Sequence, residues 1–150
     1  MKRVYKQGFY TPKNLDKCQN TRPLNFKSKL ELKLMGYFDG TPNVTKWSYE
    51  SVLIPYISPL DGCSHTYHTD FIIHVDAGNN NRYTALVEAK ASCFVPNTNN
   101  FAIIKKRRNT PSKTKMLNEL LVNQAKFDAA EEYCKKRGWR FVVLTEKDVN

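Results

Sequence analysis

The chain has 150 residues, of which 41% are hydrophobic and 12% aromatic, and its formal net charge is +10. These values are typical of a single globular domain with a substantial core, and they exclude a disordered chain. No apolar run is long enough to cross a bilayer and no apolar signal segment opens the chain, so we expect an intracellular protein with no membrane partner.

The basic residues are concentrated in two segments. Residues 1–29 hold eight Lys or Arg against one acid, residues 105–115 hold six and no acid, and residues 30–104 hold seven acids and four bases. Basic segments around a more acidic centre favour a protein that binds the phosphates of DNA or RNA over one with merely solvated basic loops. The nucleic-acid contacts predicted in the second segment are Lys105, Lys106, Arg107, Arg108, Lys113 and Lys115.

In chain order, residues 1–26 predict an extended basic arm that wraps the domain or a partner, and residues 27–150 predict one domain. Residues 26–38 predict a helix with Ser28 as its N-cap and Glu31 three positions later, which matches a capping box. Glu31 also shares a helical stripe with Leu34, Met35 and Phe38. A carboxylate at the edge of a buried stripe is costly unless it is paired or binds a metal. Glu31 is therefore a candidate for both a structural and a functional role.

Residues 44–57 predict one strand, residues 58–62 a turn, and residues 68–91 a β-hairpin. Asp70 opens the first strand of the hairpin and Glu88 and Lys90 close the second, so the three lie at the same end of a sheet. The period of two puts Glu88 and Lys90 on one face. Two carboxylates form an oxygen site suited to Mg²⁺ or Mn²⁺, and a lysine beside it can orient an attacking water. The alternative is an ordinary exposed strand face.

Residues 92–111 predict a long basic loop that follows Lys90 directly, where a nucleic-acid backbone would lie. Residues 112–138 predict a second helix that ends at Gly138. Gln124 lies within the apolar stripe of this helix, either as a buried amide or as a donor to a catalytic water or phosphate. Residues 139–145 predict a closing strand. The element order is therefore α-β-β-β-α-β, and the second helix leads to a parallel strand.

Taken together, these motifs resemble the PD-(D/E)xK nuclease superfamily. The narrower resemblance is to the head-completion nucleases of contractile-tailed phages, and transposase-subunit nucleases of the TnsA type share much of the layout. The resemblance to the head-completion nucleases covers roughly residues 26–146. It depends on the order and spacing of short stretches at residues 28–31, 47–50, 54–56, 70–71, 88–90 and 123–126. The resemblance implies an α/β, restriction-endonuclease-like core, with a mixed sheet flanked by helices.

The resemblance also implies roles for individual residues. Asp70 and Glu88 would bind Mg²⁺, or Mn²⁺, directly with the Ala89 carbonyl, and Glu31 would be a further or water-mediated ligand. Lys90 would position or stabilise the attacking hydroxide, and Gln124 would orient the water or the scissile phosphate. Relatives usually have Pro before the metal-binding Asp, where this chain has Thr69. Because that Pro is a backbone element and not a ligand, we expect activity to survive.

The implied function is metal-dependent cleavage of double-stranded DNA in phage head completion and head–tail joining. Portal or neck proteins would be partners, and the location would be the bacterial host cytoplasm or the virion. Two alternatives stay open. One is a structural neck or adaptor protein that binds DNA or the portal and does not cut. The other is a transposon or repair endonuclease on the same fold.

Overall fold

The computed structural model describes residues 7–21 and 23–149. The eight strands in this part of the chain are β1 (Gly8–Tyr10), β2 (Leu24–Phe26), β3 (Val44–Tyr49), β4 (Leu53–Ile57), β5 (Ser64–His68), β6 (Phe71–Asp76), β7 (Arg82–Ala89) and β8 (Arg140–Leu144). The three α-helices are α1 (Lys29–Gly40), α2 (Thr98–Lys105) and α3 (Pro111–Arg137), and a 3-10 turn spans Ser92–Phe94. Among the described residues, no helix combines the length and apolar character needed to span a bilayer.

The central sheet has four strands in the order β3-β6-β7-β8. Strands β3, β6 and β7 pair in antiparallel fashion, and β8 pairs in parallel with β7 after the crossover through α3. The chain is therefore a mixed α/β protein with a restriction-endonuclease-like fold. The predicted order of the core elements, the hairpin and the parallel closing strand are confirmed.

The sheet separates two apolar clusters. Leu34, Met35 and Phe38 of α1 pack on one face, with Trp47 and Phe71 among their neighbours. On the other face, Ile72 and Leu86 pack against Ala130 and Cys134 of α3. Because strand side chains alternate, residues 70 and 88 lie on the same face as residues 72 and 86. The carboxylates of Asp70 and Glu88 are therefore on the α3 side of the sheet.

The described part of the predicted arm is a folded element. Strand β1 pairs with β2, and Leu24 and Phe26 are buried in the α1-side cluster. The buried carboxylate of Asp39 fixes the segment between β1 and β2. Its Oδ2 accepts hydrogen bonds from the backbone N–H of Lys13 at 2.9 Å and from that of Asn14 at 3.2 Å. The described part of this segment thus packs on the domain and contributes to its core. Residues 1–6 and Arg22 lie outside the described residues.

Three predicted elements need correction. The strand predicted over residues 44–57 is two strands, because Glu50 adopts a positive φ of 52° and turns the chain out of the central sheet. Strand β4 then pairs with β5, a strand that the sequence did not predict, to form a separate two-stranded hairpin. The predicted loop over residues 92–111 contains the helix α2. The helix predicted over residues 26–38 is α1, Lys29–Gly40, and Phe26 lies in β2 instead.

Candidate active site

The adjacent ends of β6 and β7 bring together the residues predicted from the hairpin. The backbone N–H of Ala89 donates to Asp70 Oδ2 at 2.8 Å, which fixes the aspartate against the end of β7. Lys90 Nζ lies 3.5 Å from Glu88 Oε1. Asp70 and Glu88 are both buried, with 9% and 5% of their surface exposed. The predicted grouping of two carboxylates and one ammonium group at one end of the sheet is therefore confirmed.

These residues line an open pocket of about 580 Å³. Glu31, Asp70, Glu88, Ala89 and Lys90 all contribute to its wall. The other lining residues are Ser28, Leu30, Ala91, Ser92, Cys93, Phe94, Glu119 and Glu146. A pocket of this size admits a phosphodiester together with a hydrated cation. Helix α1, the sheet and helix α3 each supply part of the wall.

Glu31 reaches the pocket from the first turn of α1. Its backbone N–H donates to Ser28 Oγ at 3.1 Å, so the predicted N-cap is confirmed. Its carboxylate Oε2 accepts from the Lys27 backbone N–H at 2.5 Å and from the Tyr49 hydroxyl at 3.3 Å. Its side chain therefore has a structural role at the helix start while it faces the carboxylate pair.

Burial raises the pKa values of both carboxylates. Burial, then the charges of Glu88 and Glu31, raise the pKa of Asp70 well above its usual value. Burial also raises the pKa of Glu88, although Lys90 and the Tyr67 hydroxyl oppose this rise by stabilising the ionised form. Ionisation of both carboxylates is therefore unfavourable, and Lys90 offsets part of the cost. Perturbed groups of this kind are typical of functional sites.

The family whose description is "TnsA-like endonuclease N terminal" matches residues 41–146. The chain belongs to this family. It is also similar to the head completion nuclease of Enterobacteria phage T4, with 26% identity over 143 residues that cover 93% of this chain and 90% of the relative. The family match and this similarity support a nuclease, in agreement with the resemblance drawn from the motifs.

Three site residues of this TnsA-like domain were not predicted. The buried Tyr67 of β5 donates its hydroxyl proton to Glu88 Oε2. Helix α3 supplies the other two: Glu119 lines the pocket, and the ammonium of Lys126 lies over the ring of Tyr67. Tyr67 is only three residues before Asp70, but the sequence did not show that β5 leads directly into β6. For Lys126, the available signal was its place in the 123–126 stretch that carried the family resemblance.

Gln124 does not line the pocket. Its side-chain amide donates to Asp128 Oδ1 at 2.8 Å, one turn along α3. The buried amide on this helix is the neighbouring Asn123, which donates to the Phe94 carbonyl at 2.9 Å and secures the 3-10 turn beside the site. The predicted role of Gln124 in orienting water or phosphate is therefore not supported by its contacts.

The second basic segment connects α2 to α3. Lys105, Lys106, Arg107, Arg108 and Lys115 are exposed there. Lys113 is different, because its ammonium donates to the carbonyls of Lys105 and Arg107, both at 3.0 Å, and closes the connection. The five exposed residues present a positive surface, whereas Lys113 has a structural role.

Thr69 occupies the position at which relatives usually have Pro. Its backbone N–H donates to the Val52 carbonyl at 3.2 Å, and its hydroxyl donates to the same oxygen at 2.7 Å. A proline has neither donor. The threonine thus fixes the break between β5 and β6, and with it the position of Asp70, through hydrogen bonds in place of a rigid ring.

The donor set fits a hard divalent cation held by few protein ligands. In the described ranges, residues 7–21 and 23–149, no three His, Cys, Asp or Glu side chains converge closely enough to form a complete metal cluster. Mg²⁺ is commonly bound by one or two carboxylates and keeps several waters. Asp70 and Glu88 supply such a pair, and a cation there would offset the burial that raises both pKa values and the repulsion that further raises the pKa of Asp70.

Proposed function

We propose that the protein is a metal-dependent DNA nuclease of the PD-(D/E)xK type that acts in phage head completion and head–tail joining. The observation that carries this proposal is the buried pair Asp70 and Glu88, with Lys90 at 3.5 Å from Glu88, in an open pocket at the end of the sheet. Membership of the endonuclease family supports cleavage. Similarity to the head completion nuclease supports the phage role.

In the proposed mechanism, Asp70, Glu88 and the Ala89 carbonyl would hold Mg²⁺, or Mn²⁺ in its place, and Glu31 would be a further or water-mediated ligand. A divalent cation held there would supply charge neutralisation at the phosphate and a lowered pKa for a water molecule. Lys90 positions this water for attack on the phosphorus. Glu31 also holds the start of α1 against the pocket through the Lys27 N–H.

The five exposed residues Lys105, Lys106, Arg107, Arg108 and Lys115 are proposed to hold the DNA backbone. They follow the pocket wall in sequence, because residues 91–94 line the pocket and lead into α2. Contacts of this kind position a duplex and read no sequence. Packaged double-stranded DNA is the proposed substrate, and head or neck proteins are the proposed partners.

The test is gel cleavage of supercoiled and linear DNA by the full chain, with Mg²⁺, Mn²⁺ or EDTA. Glu88→Gln is the main variant, and Glu132→Gln is its matched control, because Glu132 is exposed and lies at the far end of α3. We expect metal-dependent cleavage by wild type and the control, and none by Glu88→Gln.

Three results would contradict the proposal in whole or in part. Equal cleavage by wild type and Glu88→Gln would show that the carboxylate pair is not required for cleavage. Salt-sensitive DNA binding with no cleavage under any metal condition would instead favour a structural neck or adaptor protein. Cleavage confined to one defined sequence would favour a transposon or repair endonuclease over the phage role.

A further inference from the structure

Lys126 is a half-buried lysine on the sheet-facing side of α3. It lies seven residues after Glu119, so the two residues share one stripe of the helix. Its Nζ lies 5.7 Å from the ring centroid of Tyr56 and 5.5 Å from that of Tyr67. Both distances are within the range of cation–π attraction. The two rings of the β4–β5 hairpin therefore hold the ammonium in a defined place.

That place is beside the carboxylate pair. Tyr67, which lies under the Lys126 ammonium, donates its hydroxyl proton to Glu88. The charged groups that face Lys126 are Lys90, Glu88 and Asp70 on the sheet and Glu119 on its own helix. Burial and the charge of Lys90 lower the pKa of Lys126, and the three carboxylates oppose this effect. Lys90, directly after β7, and Lys126 of α3 thus both face the carboxylate pair, although Lys126 itself is not among the residues that line the pocket.

A purely structural role does not account for this arrangement. Long cationic side chains often pack over apolar or aromatic surface without any further role. However, no carboxylate of the described residues lies within 4.0 Å of its Nζ, whereas Lys90 is paired with Glu88. A partly desolvated ammonium without an ion-pair partner is costly. A bound phosphate would supply the missing negative charge.

We propose that Lys126 binds the scissile phosphate from the α3 side, as a second ammonium group of the active site. The inference rests on the proposed nuclease function and adds a substrate contact to it. Lys90 acts on the attacking water, and Lys126 donates to a non-bridging oxygen of the phosphate. Tyr56 and Tyr67 orient Lys126, and Tyr67 couples its position to that of Glu88.

The experiment compares Lys126→Met, Lys126→Arg and Lys135→Met in the full chain. Methionine keeps an apolar stem and removes the charge, and Lys135 is an exposed residue near the end of the same helix. Binding of a short fluorescent duplex is measured in EDTA, from about 50 to about 200 mM salt. Cleavage is measured with Mg²⁺, and kcat and KM are determined separately.

For Lys126→Met we expect the slope of log affinity against log salt to fall by about 1, as for the loss of one phosphate contact. We also expect a loss of about a hundredfold in kcat, because the contact acts on the reacting phosphate. Lys126→Arg should restore the salt slope. Lys135→Met should match wild type in both assays, and the melting temperatures show whether each variant is folded.

The two proposals fail in different ways. If wild type cleaves DNA and folded Lys126→Met keeps both its salt slope and its kcat, the role of Lys126 is refuted and the nuclease stands. If wild type does not cleave but Lys126→Met loses one unit of salt slope, phosphate binding stands and the nuclease function fails. If Lys126→Met lowers only the melting temperature, the lysine is a packing residue.

Discussion

The hydroxyl of Tyr67 gives a test of how the site is stabilised. Tyr67 is 2% exposed and donates to Glu88, which is 5% exposed, so Tyr67→Phe leaves a buried carboxylate without that donor. A hydrogen bond to a charged group contributes about 1.5–3 kcal/mol. We therefore expect Tyr67→Phe to lower the free energy of unfolding by about 2 kcal/mol at neutral pH. For a chain of this length, that loss lowers the melting temperature by about 4–8 °C.

The cost should depend on pH. Burial raises the pKa of Glu88, and the Tyr67 hydrogen bond lowers it, so the phenylalanine variant has a still higher Glu88 pKa. A group with a raised folded-state pKa binds more protons in the folded protein than in the unfolded chain. Stability therefore falls as pH rises from the unfolded pKa to the folded one. The interval between the unfolded-state and folded-state pKa values of Glu88 is wider in the variant. Tyr67→Phe should therefore be more destabilising at about pH 8 than at about pH 5.

The assay is urea unfolding of metal-free protein, followed by circular dichroism at both pH values. Tyr56→Phe is the matched control, because Tyr56 lies on the same hairpin and also contacts Lys126, while its hydroxyl has no hydrogen bond among the described residues. The control should change stability by less than about 0.5 kcal/mol. Equal effects of the two substitutions, or a cost for Tyr67→Phe that is the same at both pH values, would refute the reasoning.

Three further predictions follow from other contacts. Mg²⁺ at about 100 times its Kd should raise the free energy of unfolding of wild type by about 2.7 kcal/mol at neutral pH, and it should hardly stabilise Glu88→Gln. The stabilisation should be smaller in acid, because protons compete with the ion for Asp70 and Glu88. Thermal melts with and without the ion measure both effects. Thr69→Val removes the hydroxyl bond to Val52 and should cost about 1 kcal/mol in urea unfolding, and no loss would show that the backbone N–H suffices. Asp39→Ala releases the N–H groups of Lys13 and Asn14 and should increase amide exchange in β1 and β2 without changing exchange in β7; uniform exchange would contradict a local clamp.

The parts of the site that the sequence predicts are those set by local rules. Alternation along β6 and β7 places Asp70, Glu88 and Lys90 together, and Ser28 with Glu31 marks the start of α1. Glu50 is different. It adopts a positive φ, and its backbone N–H donates to the Asp70 carbonyl at 2.8 Å. Because positive φ is typical of Gly, Asn and Asp, a glutamate in the sequence does not indicate such a turn.

The other features that the sequence did not predict also depend on tertiary contacts. Strand β5 has little apolar character, because Tyr67 is its only buried residue, and it is stabilised by pairing with β4. A spacing of four from Leu120 assigns Gln124 to the helical stripe, but the buried positions of α3 recur at intervals of three and four, at residues 120, 123, 127, 130 and 134, so Asn123 takes the buried position. Lys126 acquires its place only when the separate β4–β5 hairpin packs against α3.

The long crossover through α3 has a consequence for the protein during synthesis. Tyr67 and Glu88 are 21 positions apart, and Ser92 is bound to Glu146 across 54 positions. A nascent chain that has emerged only as far as β7 already carries Asp70, Glu88 and Lys90. It lacks β8 to complete the sheet and α3 to cover the face on which those side chains lie. The candidate site is therefore completed only after α3 and β8 have emerged, and a polypeptide interrupted before them holds Asp70, Glu88 and Lys90 without the α3 wall of the pocket.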